Sequence, residues 1–90
     1  MDELRVVVHG RVQGVGFRWF VSRRAAEHGV AGSVRNRPDG SVEIVAEGPR
    51  RSLEALLADV RSGPPRARVE GVDERWSEIP GGRRGFTIDA

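Results

Sequence analysis

The stretch Leu4-Arg5-Val6-Val7-Val8-His9-Gly10-Arg11-Val12-Gln13-Gly14-Val15-Gly16-Phe17-Arg18 decides the fold. Leu4, Val6 and Val8 alternate with Arg5, Val7 and His9, the two-residue period of a strand buried on one face. Glycines then break the alternation, so Gly10 to Gly16 reads as a loop. Beyond the loop the period lengthens. Val21 and Ala25 stand four apart with Phe17 and Phe20 close by, which predicts a helix from Arg18 to His28 that stops at Gly29.

Working outward, Val30 to Asn36 reads as a second strand. Pro38-Asp39-Gly40 signals a hairpin, because Pro presets the turn's φ and Gly accepts the left-handed position. Val42, Ile44 and Ala46 then alternate with Ser41, Glu43, Val45 and Glu47, a third strand with one more polar face. Gly48-Pro49 opens a second helix, with Pro expected at the first helical position, where its missing N–H costs nothing. Leu53, Leu56, Leu57 and Val60 make its single apolar stripe, and Gly63-Pro64-Pro65 ends it. A fourth strand runs from Ala67 to Trp76. Its apolar parity slips between Val69 and Val72, and Gly71 at the slip predicts a β-bulge. Phe86 and Ile88 form a short last strand after the loop from Pro80 to Gly85. The order is β-α-β-β-α-β plus a short extra strand. Two helices with one apolar stripe each cover the same face of an antiparallel sheet, an α+β ferredoxin-like split βαβ sandwich.

Ninety residues suffice for one domain with one two-layer core, here 1–90. Fifteen basic and thirteen acidic residues leave a net charge of +2, yet the isoelectric point is about 10.9. Every basic residue is Arg, and without Lys, Tyr or Cys a small surplus holds that value high. It does not describe a polybasic surface and does not argue for nucleic acid. The lack of Cys removes disulfides and thiolate chemistry and fits a reducing compartment. No stretch reaches the ~18 apolar residues of a membrane span, and Met1-Asp2-Glu3-Leu4-Arg5 lacks a signal-peptide pattern, so the expectation is a mature cytoplasmic protein.

The loop carries the chemistry. Gly14 and Gly16, spaced by one residue, let successive N–H groups turn inward as an anion-binding nest, and a helix N-terminus lies just behind. Arg18 in the first helical turn opposes the helix dipole, a placement that makes sense if an anion in the loop takes its planar fork of donors. The plainer reading is a glycine-rich turn beside a surface Arg. Walker A fails because the chain has no Lys, and a dinucleotide fingerprint fails because Trp19 stands where its third Gly belongs. Asn36, the only Asn, sits just before the hairpin turn. It either bonds locally to its own backbone or uses its amide to hold a water against a bound phosphoryl group. His9 is read as capping a strand on the solvent side rather than as a base, and His28 as a ring suited to a helix C-terminus. Trp19 and Trp76 read as core or partly covered aromatics. Arg23-Arg24, Arg50-Arg51 and Arg83-Arg84 read as solvated faces, the last pair also placed to tune substrate approach.

The run from Gly10 to Arg18, with Val34-Arg35-Asn36-Arg37-Pro38-Asp39-Gly40-Ser41-Val42-Glu43 after it, resembles the acylphosphatase family. The similarity continues through Ala46-Glu47-Gly48, the Leu53 to Val60 helix, Gly63-Pro64-Pro65, Ala67-Arg68-Val69, Trp76 and Gly85-Phe86, nearly the whole chain. The resemblance implies hydrolysis of the carboxyl–phosphate bond of small acyl phosphates, with no cofactor and no metal. It implies that Arg18 and the backbone of Gln13, Gly14, Val15, Gly16 and Phe17 bind the phosphoryl oxygens, and that Asn36 positions the attacking water. Its expected partner is the small-molecule substrate, with no nucleic acid, no membrane and a monomeric state. Ser33 and His28 stand where family members often carry an aromatic and Leu, departures that bear on packing. Two other functions share this fold: a nonenzymatic module binding carbamoyl or acyl phosphate within a larger machine, and single-stranded RNA binding on the sheet. A chain ending at Ala90 without a transferase region favours the enzyme over the first. The lack of aromatics from Ser41 to Gly48 ranks the second last.

Overall fold

In a computed structural model describing all ninety residues, the first strand, β1 (Asp2–Arg11), buries Leu4, Val6 and Val8 completely and turns Arg5 and Val7 the other way. It lies inside a five-stranded sheet of order β4-β1-β3-β2-β5, with β2 Ala31–Asn36, β3 Val42–Gly48, β4 Arg68–Glu78 and β5 Phe86–Asp89. The four longer strands pair antiparallel, as the alternation predicted. The last does not: β5 runs parallel to β2, from Gly32 opposite Phe86 to Arg35 opposite Asp89, so the sheet is mixed at one edge. No helix is long and apolar enough to cross a membrane.

Helix α1 (Phe17–His28) buries Phe17, Val21 and Ala25, and α2 (Arg50–Ser62) buries Leu53, Leu56, Leu57 and Val60. These side chains join Leu4, Val6, Val8, Val34, Val42, Ile44 and Ala46 of the sheet in one core between helices and sheet. The His28 imidazole meets the Asp59 carboxylate at 2.7 Å, tying the end of α1 to α2. Pro49 is the N-cap of α2 rather than its first residue, with extended backbone (φ −62°, ψ 143°), and its carbonyl accepts the first helical bond from Leu53 N–H. Trp76 is half-buried against the core under the Arg50 guanidinium, 3.7 Å from its ring centroid. Trp19, read as core or partly covered, is 60% exposed and so is not core. Residue 19 lies two positions past Phe17, about 200° around the helix and so opposite the buried stripe.

Three features of the sheet depart from the sequence reading. The glycine-punctuated loop does not begin at Gly10, because Gly10 and Arg11 still pair with Val69 and Arg68 of β4. The register shifts between His9 and Gly10, leaving Glu70 as the extra residue of the predicted bulge. The glycine the bulge requires is Gly10, not Gly71. At φ 123° a Cβ on Gly10 would fall 2.1 Å from the Arg68 carbonyl oxygen, whereas one on Gly71 meets nothing closer than 3.9 Å. Finally, the second face of β3 is less open than its composition suggests: Ser41, Val45 and Glu47 are buried. Glu47 accepts a hydrogen bond from Arg83 N–H and faces the Arg83 guanidinium at 3.7 Å, so Arg83 is an anchor rather than a solvated charge. That anchor and the bond from Gly32 N–H to the Gly85 carbonyl lay β5 beside β2.

The β2–β3 hairpin closes through Arg37 N–H to the Ser41 carbonyl and Gly40 N–H to the Arg37 carbonyl. Asp39 accepts from both the hydroxyl and the N–H of Ser41. The hydroxyl bond, then the N–H bond and the nearby Arg37 charge, hold the Asp39 carboxyl below the usual carboxylate range.

Gly10→Ala should lower stability by ~2–4 kcal/mol in urea unfolding, while Gly71→Ala should stay within ~0.5 kcal/mol of wild type. A depressed carboxylate contributes stability above its unfolded pKa of ~3.9 and loses it as pH falls through the folded value. Asp39→Asn should therefore be less stable than wild type at pH 6, and the gap should close as both are titrated below about pH 4.

Candidate functional site

The loop joining β1 to α1 spans residues 12–16. Val12 is buried and Val15 packs against the core, so two apolar side chains moor the loop from beneath. Gly14 (φ 74°) and Gly16 (φ 78°) are both left-handed, and Val15 between them is not. This alternation turns successive N–H groups toward one side and forms a nest. A Cβ at either glycine would meet no atom within 4 Å, so the requirement is for the backbone angle and not for space. Gly16 is also the N-cap of α1. It supplies no side-chain cap, the first turn contains no acidic residue, and the first intrahelical bond is donated by Phe20 N–H to the Gly16 carbonyl. The N–H groups of Phe17, Arg18 and Trp19 are left without a helical acceptor, at the positive end of the helix dipole.

Arg18 and Asn36 come together here. A cleft of about 200 Å³ is lined by Val12, Gly14, Gly16, Phe17, Arg18, Trp19, Asn36 and Ile88. Arg18 reaches it from the first turn of α1 and Asn36 from the last residue of β2. The Arg18 guanidinium donates through Nη1 to the Asp89 carbonyl of β5 at 3.1 Å, which uses one of its five donors and orients the others. The amide of Asn36 makes no hydrogen bond within the chain and borders the cleft, so the local-capping reading does not hold; Asp39 caps the turn instead. Arg18 is the only charged side chain lining the cleft.

Gln13 takes a part that its sequence position did not suggest. It and Val15 do not line the cleft. The Gln13 amide instead crosses to the hairpin and donates to the Arg37 carbonyl at 2.8 Å and the Ser41 carbonyl at 2.9 Å. Both amide hydrogens are used, so the loop is fixed to the turn immediately after Asn36. An amide between Val12 and the first glycine of the loop was the only signal available, and it did not name its target. Trp19 and Ile88 at the cleft, and the Asp89 carbonyl that holds Arg18, were also missed, since each takes its place only through the packing of α1 or β5. His9 is not at the cleft. It lies within β1, two residues before the strand ends, and pairs on the solvent side with the exposed Asp73 of β4 at 2.9 Å, so it does not cap the strand.

The cleft therefore offers inward N–H groups, one guanidinium and a free amide, with no carboxylate to repel an anion. Such a set suits a tetrahedral oxyanion with a water beside it. A family model described as acylphosphatase matches residues 4–88. An acylphosphatase of Thermus thermophilus is 48% identical over 88 residues, covering 98% of this chain and 99% of the relative. One from Saccharopolyspora erythraea is 57% identical over 79 residues, covering 88% of this chain and 83% of its own. The crystal structure of an acylphosphatase from Bacillus subtilis superposes with a TM-score of 0.97 at 42% identity, over the full length of both chains. Motif, cleft and relatives agree, and the chain belongs to the acylphosphatase family.

Proposed function

We propose that this protein hydrolyses the carboxyl–phosphate bond of small acyl phosphates, releasing a carboxylate and inorganic phosphate without a metal ion. The observation that carries the reading is the meeting of Arg18 and Asn36, from two separate elements, beside a nest of N–H groups.

In this reading the N–H groups of Gln13 to Phe17 and the guanidinium of Arg18 bind the phosphoryl oxygens, and the Asn36 amide holds the attacking water in line with the leaving oxygen. Little else is needed. The leaving group is a carboxylate with a conjugate-acid pKa near ~4, so it departs without protonation by the enzyme. Phosphoryl transfer through a loose transition state asks little of the nucleophile, and catalysis becomes positioning plus charge stabilisation. The water's proton passes to a nonbridging oxygen of the substrate's own phosphate, in keeping with a cleft that no carboxylate lines. Gln13 is a positioning residue, because its two bonds set the distance between the anion loop and the strand end that carries Asn36.

The same reading makes residues 1–90 a single domain acting as a monomer in the cytoplasm, on a small molecule and not on nucleic acid. One continuous core of sixteen residues supports the single domain. The sheet face turned away from the helices carries Arg5, Val7, Glu43 and Val45 and offers no aromatic platform for bases.

Phosphate release from benzoyl phosphate should proceed undiminished in EDTA. Arg18→Ala and Asn36→Ala should each lower kcat/KM by at least ~10²-fold with unchanged unfolding midpoints. Wild-type activity in Arg18→Ala, or loss of turnover on chelation, would contradict the assignment. Phosphate binding with no turnover above the spontaneous rate would identify a binding module instead. Gln13→Met should lower kcat about tenfold while inorganic phosphate inhibits as before, and in an Asn36→Ala background it should add little further loss. Full additivity of the two substitutions would mean that Gln13 does not act through Asn36.

A further inference from the structure

The groups assigned above account for the phosphoryl end of a substrate and leave its acyl end without a partner. Among all large hydrophobic residues only Met1, Trp19 and Ile88 are exposed, at 60%, 60% and 44%. Two of these three line the cleft. Isolated apolar side chains on a surface need no explanation, but two converging on the same cleft as the anion-binding groups do.

Their sequence positions fix how far they stand from the phosphoryl site. Trp19 follows Arg18 directly, and Ile88 precedes Asp89, whose carbonyl accepts from the Arg18 guanidinium. Both side chains are thus carried by backbone next to the groups that hold Arg18, one from α1 and one from β5. The indole is also steadied. Arg23, one helical turn on, sets its guanidinium 4.8 Å from the ring centroid. A ring held in this way loses little conformational freedom when a ligand covers it, and its flat surface favours a flat partner.

We propose that Trp19 and Ile88 form the acyl subsite of this enzyme and select acyl phosphates with an aromatic or bulky apolar acyl group over those with a short aliphatic one. The inference rests on the acylphosphatase reading given above. With phosphate in the nest, the carbonyl carbon lies one oxygen away, and its substituent extends along the apolar rim between the indole and Ile88. The subsite contributes through contact area and stacking. It therefore affects substrate preference and leaves the hydrolytic step to the phosphoryl-binding groups.

The test compares kcat/KM for benzoyl phosphate and acetyl phosphate. Wild type should favour benzoyl phosphate, and the ratio of the two constants should fall about five- to twentyfold in Trp19→Ala, less in Ile88→Ala, and recover in Trp19→Phe. In a Trp76→Phe background the remaining indole is Trp19. Its emission should shift when benzylphosphonate is added and not when methylphosphonate is added. Turnover of both substrates with an unchanged ratio in Trp19→Ala, or an emission indifferent to benzylphosphonate, would overturn the subsite while leaving the hydrolase intact. Turnover of neither substrate by wild type would overturn the hydrolase reading and the acyl subsite with it.

Discussion

The two hydrogen bonds from the Gln13 amide to the Arg37 and Ser41 carbonyls are the link on which the site depends. They span 24 and 28 residues of chain and join the glycine loop to the turn that follows Asn36. On one side stands a loop whose N–H groups face inward because Gly14 and Gly16 are left-handed. On the other stands a strand end whose Asn36 amide is free because Asp39, not Asn36, closes the turn. Either half alone is ordinary, a β-to-α turn or a hairpin. Held together by a neutral amide that adds no charge to the cleft, they place an unbonded carboxamide beside a nest of N–H groups.

A second constraint acts at the other end of β3. Glu47 on β3 is buried and faces the acidic Glu3 of β1 across the ladder. Each acid has its own arginine, Arg5 for Glu3 and Arg83 for Glu47. The Arg83 contact fixes the return of the chain, so that β5 pairs parallel with β2, presents Ile88 to the cleft and offers the Asp89 carbonyl to Arg18. A carboxylate buried without its partner carries a large desolvation penalty. Glu47 thus ties the course of the chain from Arg83 onward to the middle of the sheet. The arginine-rich composition takes on a different meaning in this light. Most guanidinium groups stack on a ring or pair with an acid, and only Arg18 lines the anion cleft.

The readable parts of the sequence were those whose physical cause is local. The period of Leu4, Val6 and Val8, the stripe of Leu53, Leu56, Leu57 and Val60, the turn at Pro38-Asp39-Gly40 and the bulge near Gly71 all appear where the pattern put them. Most of the departures have a cause distant in the chain. Gly10 reads as loop from its neighbours alone, because the contact that requires it is with the Arg68 carbonyl, 58 positions away in the chain. Ser41, Val45 and Glu47 looked like an open face because their cover comes from elsewhere in the fold. An apolar indole makes Trp19 read as core or partly covered, and only its position relative to Phe17 on the helix sets it on the outer side.

By itself the sequence determined the strand and helix periods, the left-handed glycines of the loop, the arginine behind them and the family these residues mark. Each of these follows from backbone sterics or from hydrogen-bond periods a few residues long, which neighbouring side chains dictate. The tertiary structure decided the rest: that the end of β2 faces the β1–α1 loop, that the Gln13 amide spans the gap, that β5 runs parallel at the edge, and that Trp19 and Ile88 border the cleft. Those relations depend on which strands lie side by side and how closely their backbones approach. Sheet topology sets both, and no local run of residues encodes the distance between two segments that meet only after folding.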